Sequence, residues 1–200
     1  VKLTGAKPVI VATEESNDFK LTPEQLRAAI TPRTKVLLFV SPSNPTGAVY
    51  SPEQTKAIGE WAAANGLWVI SDEIYQNLVY DGVRAVSIVE AVPALADRTI
   101  LVNGVAKSYA MTGWRLGWMV GPADAIKAAA NLQSHLTSNV SNITQRAAIE
   151  ALTGPQDAVE AMRVSFEKRR NTIVAELSKI SGLVCPVPEG AFYVYPDVTG

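Results

Sequence analysis

The sequence has little charge: 18% of its 200 residues are Asp, Glu, Lys or Arg, against roughly 25% in an average domain. Its net charge of −1 excludes the basic surface that binds nucleic acid or an anionic membrane. A single cysteine, Cys185, excludes an intrachain disulfide, and no spacing typical of metal ligands occurs. No apolar run is long enough to span a bilayer, and no signal peptide is visible. These absences predict a globular, cytoplasmic protein without a metal site.

Short apolar runs alternate with helical patterns in the first half of the chain. The runs, each bounded by turn residues, cover residues 8–13, 35–40, 67–71, 99–103 and 117–121. Thr22 and Ser51 are each followed by Pro and, three residues on, by Gln, which is typical of a capped helix start. Strand–helix alternation predicts an α/β fold with a mostly parallel sheet between two helical layers.

The second half is predicted to be mainly helical. Residues 123–136 and 141–152 have helical patterns, and apolar residues at helical spacing between Val159 and Ile180 predict one long helix. That helix is long enough to leave the sheet domain. Residues 191–195 then have the pattern of a strand belonging to a new unit.

Polar residues follow three of the predicted strands. Asn44 follows the run at 35–40, Asp72 and Tyr75 follow the run at 67–71, and Lys107 and Arg115 follow the run at 99–103. Open parallel sheets bind ligands beyond the carboxyl ends of their strands. The pattern therefore predicts that an amide, a carboxylate, a phenol, an amine and a guanidinium converge on one edge.

Each group also has a simpler interpretation. Asn44 lies in a turn sequence, Lys107 could be a surface amine and Arg115 an ion-pair partner. The acidic pair at 72–73 is typical of nucleotide hydrolases too, but the phosphate loop G-x-x-x-x-G-K-[ST] is absent. The five groups together fit pyridoxal 5'-phosphate, which needs an amine, an anion at its ring nitrogen, donors to its ring oxygen and a cation at its phosphate.

Three segments carry a family resemblance: SNPTG at 43–47, SDEIY at 71–75 and NGVAKSYAMTGWRLG at 103–117. With GAFY at 190–193, they resemble class I/II aminotransferases of the aspartate aminotransferase type, which are fold-type I pyridoxal-phosphate enzymes. The resemblance covers essentially the whole chain. It implies one antiparallel strand in the sheet, for which residues 117–121 are the candidate.

The resemblance implies a role for each polar residue. Lys107 forms the Schiff base with the cofactor and then moves the proton at the substrate Cα, and Asp72 pairs with the pyridine nitrogen. Asn44 and Tyr75 donate to the ring oxygen, Asn44 also lies near the substrate carboxylate, and Arg115 holds the phosphate. The implied catalytic residues are therefore Lys107, Asp72 and Tyr75.

Phe192 lies in a family segment beside the substrate, so the resemblance implies a substrate contact there. Gly104 departs from the pattern, because many relatives have a hydroxyl three residues before the lysine. The family's glycine-rich phosphate loop, its ring-stacking aromatic and its carboxylate-binding arginine are not found. We expect the central part of a protein about twice as long, inactive when isolated. Residues 1–172 are predicted to be the cofactor-binding large domain, and 173–200 the end of an interdomain helix and the start of a smaller α+β domain.

The function predicted from the resemblance is transfer of an amino group from an amino acid to a 2-oxo acid. Two alternatives keep the same residues: a carbon–sulfur lyase, and a non-catalytic sensor domain of a transcription regulator. The resemblance and the low charge content together predict a homodimer. Neither nucleic acid nor a membrane is predicted as a partner of the enzyme.

Overall fold

The computed structural model describes residues 1–200, which include one four-stranded sheet. Its strands, in their order across the sheet, are β1 (Val36–Val40), β2 (Trp68–Asp72), β3 (Thr99–Gly104) and β4 (Gly117–Val120). The helices are α1 (Pro23–Ala29), α2 (Pro52–Ala64), α3 (Ile88–Ala91), α4 (Ala123–Leu136), α5 (Asn142–Thr153) and α6 (Asp157–Leu177). Strands β1 to β3 are parallel and β4 is antiparallel to β3. The predicted α/β fold, a mostly parallel sheet with helices on both sides, is confirmed.

The first two helices begin where their sequences predict. The Thr22 hydroxyl accepts the backbone N–H of Gln25, whose side chain in turn accepts the N–H of Thr22. Ser51 and Gln54 form the same reciprocal pair at the start of α2. Each pair satisfies backbone donors that a helix start leaves without partners, which fixes the direction in which the helix leaves the preceding loop.

One face of the sheet carries the core. Alternate residues of β1 and β2 point to this face, where they pack with residues of α1, α2 and α3; the cluster includes Leu26, Leu37, Phe39, Ile58, Ala62, Val69, Ile88 and Leu95. The other face is far less covered. Val36, Leu38, Trp68 and Ile70 remain 36–59% exposed, and the register places Val36 beside Trp68 and Leu38 beside Ile70. The second face therefore presents a row of apolar side chains.

Two of the predicted strands do not form. Residues 8–13 are irregular and mostly exposed, because no neighbouring strand supplies hydrogen bonds to their backbone. Residues 191–195 form a turn and irregular backbone, and Ala191 is fully buried against the segment that follows β2. A tertiary contact thus replaces the predicted start of a new strand. The boundary between residues 1–172 and 173–200 falls inside α6, and the two-domain division stays a prediction.

The six helices include one long member, α6, with 21 residues, or about 31 Å at 1.5 Å per residue. Charged residues recur along it, and one of them, Arg170, is buried. Its guanidinium donates to both carboxylate oxygens of Asp81 and to the Pro188 carbonyl. No helix combines the length and the apolar character that crossing a bilayer requires.

Candidate active site

The carboxyl ends of β1, β2 and β3 meet at one edge of the sheet. Val40, the last residue of β1, lies beside Asp72, the last residue of β2, and Asp72 lies beside Val102 of β3. Asn44 and Lys107 follow β1 and β3 within a few residues. Parallel pairing therefore brings the segments that bear these three polar side chains to the same edge.

Tyr75 is the most buried of the five predicted cofactor-binding residues, with 3% of its surface exposed. Its hydroxyl lies 2.6 Å from the Tyr193 hydroxyl. Asp72 is half-buried, and its Oδ1 accepts the backbone N–H of Ile74 at 3.1 Å, which stabilises the turn that leads into Tyr75. The turn after β2 thus fixes the position of the Asp72 carboxylate relative to the Tyr75 phenol.

The environment of Tyr75 favours its neutral form. Burial is the largest influence and raises the pKa of the phenol well above its ordinary value, and the hydrogen bond with Tyr193 and the charge of Asp72 raise it further. Only the Asn44 amide acts in the opposite direction and lowers the pKa. Tyr75 therefore keeps its proton near neutral pH and can donate a hydrogen bond.

The Lys107 amine lies against aromatic rings. Its Nζ is 5.4 Å from the centre of the Phe192 ring and 5.8 Å from that of Tyr75. Phe192 stacks on Phe166 of α6, with ring centres 5.4 Å apart, and meets Tyr75 edge-on. Lys107 forms no ion pair, so its amine faces an apolar wall and has no carboxylate partner.

Arg115 lies at the same edge on the other side of β3. It comes two residues before Gly117, which pairs with Gly104 at the end of β3. Its backbone is left-handed (φ 53°) and its guanidinium donates to the Thr112 carbonyl at 3.1 Å. Arg115 is exposed and forms no ion pair. Its charge is therefore available to an anionic ligand.

The glycine at position 104 has a packing explanation. A Cβ there would lie 2.9 Å from the Leu116 carbonyl oxygen and 3.0 Å from the Cα of Gly117. Backbone atoms cannot yield as a flexible side chain can, so β3 and β4 approach too closely for a serine. The backbone N–H of Gly104 donates to the Asn103 side chain at 2.7 Å. No hydroxyl therefore stands at this position.

Sequence reasoning missed Tyr193 and singled out its neighbour Phe192. The structure places both at the edge: Phe192 contacts Lys107 and Tyr75, and the Tyr193 hydroxyl accepts the Asn44 amide at 3.4 Å. The signal available was the aromatic pair after Gly190 in the GAFY segment. The position of the Tyr193 hydroxyl in the site depends on contacts with Asn44 and Tyr75, which are more than 100 residues away in sequence.

A buried carboxylate supports this edge from beneath. Glu73 is 5% exposed, and its Oε1 accepts the hydroxyls of Ser71 at 2.9 Å and Ser87 at 2.7 Å. The backbone N–H of Glu73 donates to the Val102 carbonyl and so extends the hydrogen-bond ladder between β2 and β3 by one residue. Glu73 therefore fixes the stretch of chain from which Asp72 projects.

Replacing Glu73 with alanine is expected to lower the free energy of unfolding by about 2–4 kcal/mol, because two hydroxyls lose their acceptor and a cavity opens. Glu73→Gln retains an acceptor oxygen and should lose less. Glu90→Ala, which removes an exposed ion pair with Arg84, serves as the control and should change stability by less than about 1 kcal/mol. Urea unfolding measures all three, and equal stabilities for Glu73→Ala and Glu90→Ala would contradict the role of Glu73.

Comparison with known proteins identifies relatives along the whole chain. The sequence profile of the family "Aminotransferase class I and II" matches residues 1–200. An aspartate aminotransferase of Streptomyces avermitilis is 59% identical over 198 residues, which cover 99% of this chain and 48% of that protein. An asparagine–oxo-acid transaminase of Streptococcus mutans is 47% identical over 198 residues, 99% of this chain and 50% of that protein.

A solved structure shows the same arrangement of the chain. The crystal structure of an aspartate aminotransferase from Rhizobium meliloti superimposes with a TM-score of 0.94 at 47% identity, over 97% of this chain and 49% of that one. The chain thus spans about half the length of the relatives that it matches. With the family profile matched from the first residue to the last, the chain belongs to the class I and II aminotransferases.

Proposed function

We propose that this chain forms the cofactor-binding part of a pyridoxal-phosphate-dependent amino-acid aminotransferase. The observation that carries the proposal is the set of groups at one sheet edge: the Lys107 amine against an aromatic wall, Asp72 at the end of β2, and the linked Tyr75 and Asn44. Family membership supports the same reaction class. Because the chain spans half of its relatives, the activity proposed is that of the full-length protein.

The donor set fits pyridoxal 5'-phosphate. Lys107 offers an amine for the cofactor's aldehyde, and Asp72 offers an anion for its ring nitrogen. Tyr75, kept neutral by its surroundings, and Asn44 offer donors to the ring oxygen, and Arg115, free of any ion pair, offers a cation for the phosphate. When bound, the cofactor supplies an electron sink that stabilises negative charge at the Cα of an amino acid.

The chain's own residues have distinct tasks in this proposal. Lys107 would take the proton from the substrate Cα and deliver it to the carbon of the cofactor's former aldehyde group. Asp72 would pair with the protonated ring nitrogen, and Tyr75 and Asn44 would orient the ring by donating to its oxygen. Phe192 limits water at the Lys107 amine and borders the substrate. Fixed donors of this kind act without reorganising during the reaction.

The substrates we propose are an amino acid as donor and a 2-oxo acid as acceptor. Relatives named aspartate aminotransferase make aspartate the first donor to test, with 2-oxoglutarate as acceptor. The carbon–sulfur lyase alternative uses no acceptor, and the sensor alternative has no turnover. The three functions therefore give different products from the same additions.

The deciding experiment supplies the full-length protein with pyridoxal phosphate, aspartate and 2-oxoglutarate, and measures oxaloacetate and glutamate. Equal amounts of both products support the proposal. Pyruvate and ammonia from cysteine without any 2-oxo acid would indicate the lyase, and cofactor binding without turnover would indicate the sensor. Residues 1–200 alone, assayed in parallel, are expected to be inactive, because the open sheet face and the remaining substrate contacts need further chain.

A homodimer is the assembly that we propose for the full-length protein. Helices α4 and α5 carry large apolar side chains in solvent: Leu132, Leu136 and Ile143 are 61%, 71% and 76% exposed. Contiguous exposed apolar surface marks interaction sites in folded proteins. Sedimentation equilibrium at micromolar concentration is expected to give twice the chain mass, and a monomer would contradict the proposal.

We further propose a cytoplasmic location, since the single Cys185 provides no disulfide framework.

A further inference from the structure

The Tyr193 hydroxyl lies at the sheet edge, and neither the sequence nor the family resemblance gave it a role. Its Oη lies 2.6 Å from the hydroxyl of Tyr75 and accepts the side-chain amide of Asn44 at 3.4 Å. The two groups it joins come from different places, since Asn44 follows β1 and Tyr75 follows β2. Tyr193 therefore connects two strand ends through a single oxygen.

The backbone that leads into Tyr193 is tied to both of the segments that its hydroxyl joins. The N–H of Gly190 donates to the Gly47 carbonyl at 2.9 Å, which ties the segment to the loop of Asn44. The N–H of Ala191 donates to the Leu78 carbonyl at 2.9 Å, which ties it to the segment of Tyr75. Main-chain hydrogen bonds thus anchor the chain two and three residues before Tyr193.

We propose that Tyr193 is a positioning residue: its hydroxyl joins the Tyr75 phenol and the Asn44 amide into one hydrogen-bonded unit and so keeps both donors oriented toward the same point. This inference rests on the proposed function, in which Tyr75 and Asn44 share one ligand oxygen. A phenol has one donor hydrogen and two acceptor sites, enough to accept Asn44 and to exchange one bond with Tyr75. A ligand oxygen then meets two donors already fixed in place.

A packing role alone would use the ring of Tyr193 and not its hydroxyl. The ring does pack, with its centre 4.8 Å from that of Phe192 and 5.9 Å from that of Tyr75. Tyr193→Phe keeps the ring and removes only the oxygen, so this variant separates the two roles. Tyr195→Phe is the matched control, because Tyr195 is two residues away, 48% exposed, and packs edge-on against Phe19 outside the site.

The test follows the Cζ resonance of Tyr75 by carbon-13 NMR at neutral pH in the full-length protein without cofactor. The Cζ shift of a phenol responds to the hydrogen bonds of its hydroxyl, and the Tyr75 hydroxyl lies 2.6 Å from that of Tyr193. Tyr193→Phe is therefore expected to shift the Tyr75 resonance, whereas Tyr195→Phe should leave it in place. A Tyr75 resonance in Tyr193→Phe equal to that of the wild type would overturn the proposal.

Activity of the loaded enzyme gives a second measurement. Tyr193→Phe is expected to lower kcat/KM about tenfold, the effect of losing one hydrogen bond that orients two donors, while Tyr195→Phe keeps it. If Tyr193→Phe does not fold, Tyr75→Phe provides the reciprocal test: the Tyr193 Cζ shift at neutral pH must change, and an unchanged shift would refute the connection. Because the NMR measurement uses no cofactor, its result holds even if the wild type fails to transaminate, an outcome that would refute only the proposed function.

Discussion

Lys107→Ala is expected to abolish borohydride trapping of pyridoxal phosphate on the full-length protein and to lower transamination by at least about four powers of ten. The variant removes the only amine that lies against the Phe192 and Tyr75 rings. Covalent attachment and proton transfer at the substrate Cα depend on that one nitrogen in the proposed function. Mass spectrometry of the reduced, digested protein locates the attachment, and keto-acid production measures the rate.

Lys127→Ala is the matched control for Lys107→Ala. Lys127 is an exposed amine on α4, away from the strand ends, and its removal should leave trapping and rate at wild-type levels. Far-UV circular dichroism checks that both variants fold. Cofactor trapped on a lysine other than Lys107 in the wild type would show that the assignment is wrong.

Asp72→Asn is expected to retain covalent trapping at Lys107 but to lower kcat by about two to three powers of ten, the usual effect of losing an electrostatic group that acts on the developing charge. The asparagine keeps an oxygen that can accept the Ile74 N–H, so the turn at the end of β2 is preserved. Only the negative charge is lost. Without it the cofactor's ring nitrogen loses its proton and the electron sink weakens.

Two comparisons sharpen the Asp72 experiment. Asp72→Ala removes both the charge and the acceptor for the Ile74 N–H. Any decrease in kcat beyond that of Asp72→Asn therefore measures the contribution of the turn at the end of β2. The charge of Asp72 also raises the pKa of Tyr75, so both variants are expected to lower that pKa. A kcat for Asp72→Asn within a few fold of the wild type would contradict the proposed role of the carboxylate.

The helix starts and the central strands were predictable because their signals are local. Thr22 and Ser51 each supply a capping hydroxyl and are followed by a proline and, three residues on, by a glutamine. The structure shows the reciprocal cap at both helix starts. Buried parallel strands need continuous apolar runs, and three such runs form β1, β2 and β3. Because parallel strands end at one edge, chain order alone placed Asn44, Asp72 and Lys107 together.

Residues 8–13 show that a local sequence pattern is not enough to form a strand. Their apolar, β-branched pattern favours a strand, but a strand exists only with a neighbour to share its hydrogen bonds, and none lies beside this segment. Residues 191–195 have a similar pattern and instead form a turn and irregular backbone, and the pairing beside them is limited to an isolated antiparallel bridge between Val79 and Gly190. In both cases tertiary packing overrides propensity.

The sequence by itself determined the α/β order of elements, the caps of α1 and α2, and the types of polar group at the strand ends, because each depends on residues close together in the chain. Only the tertiary structure decided that Tyr193 joins Tyr75 to Asn44, that Gly104 has no room for a Cβ, and that one sheet face stays apolar and open. Those features arise between segments up to 149 residues apart. The distance between two side chains depends on the path of all the chain between them, which no local pattern specifies.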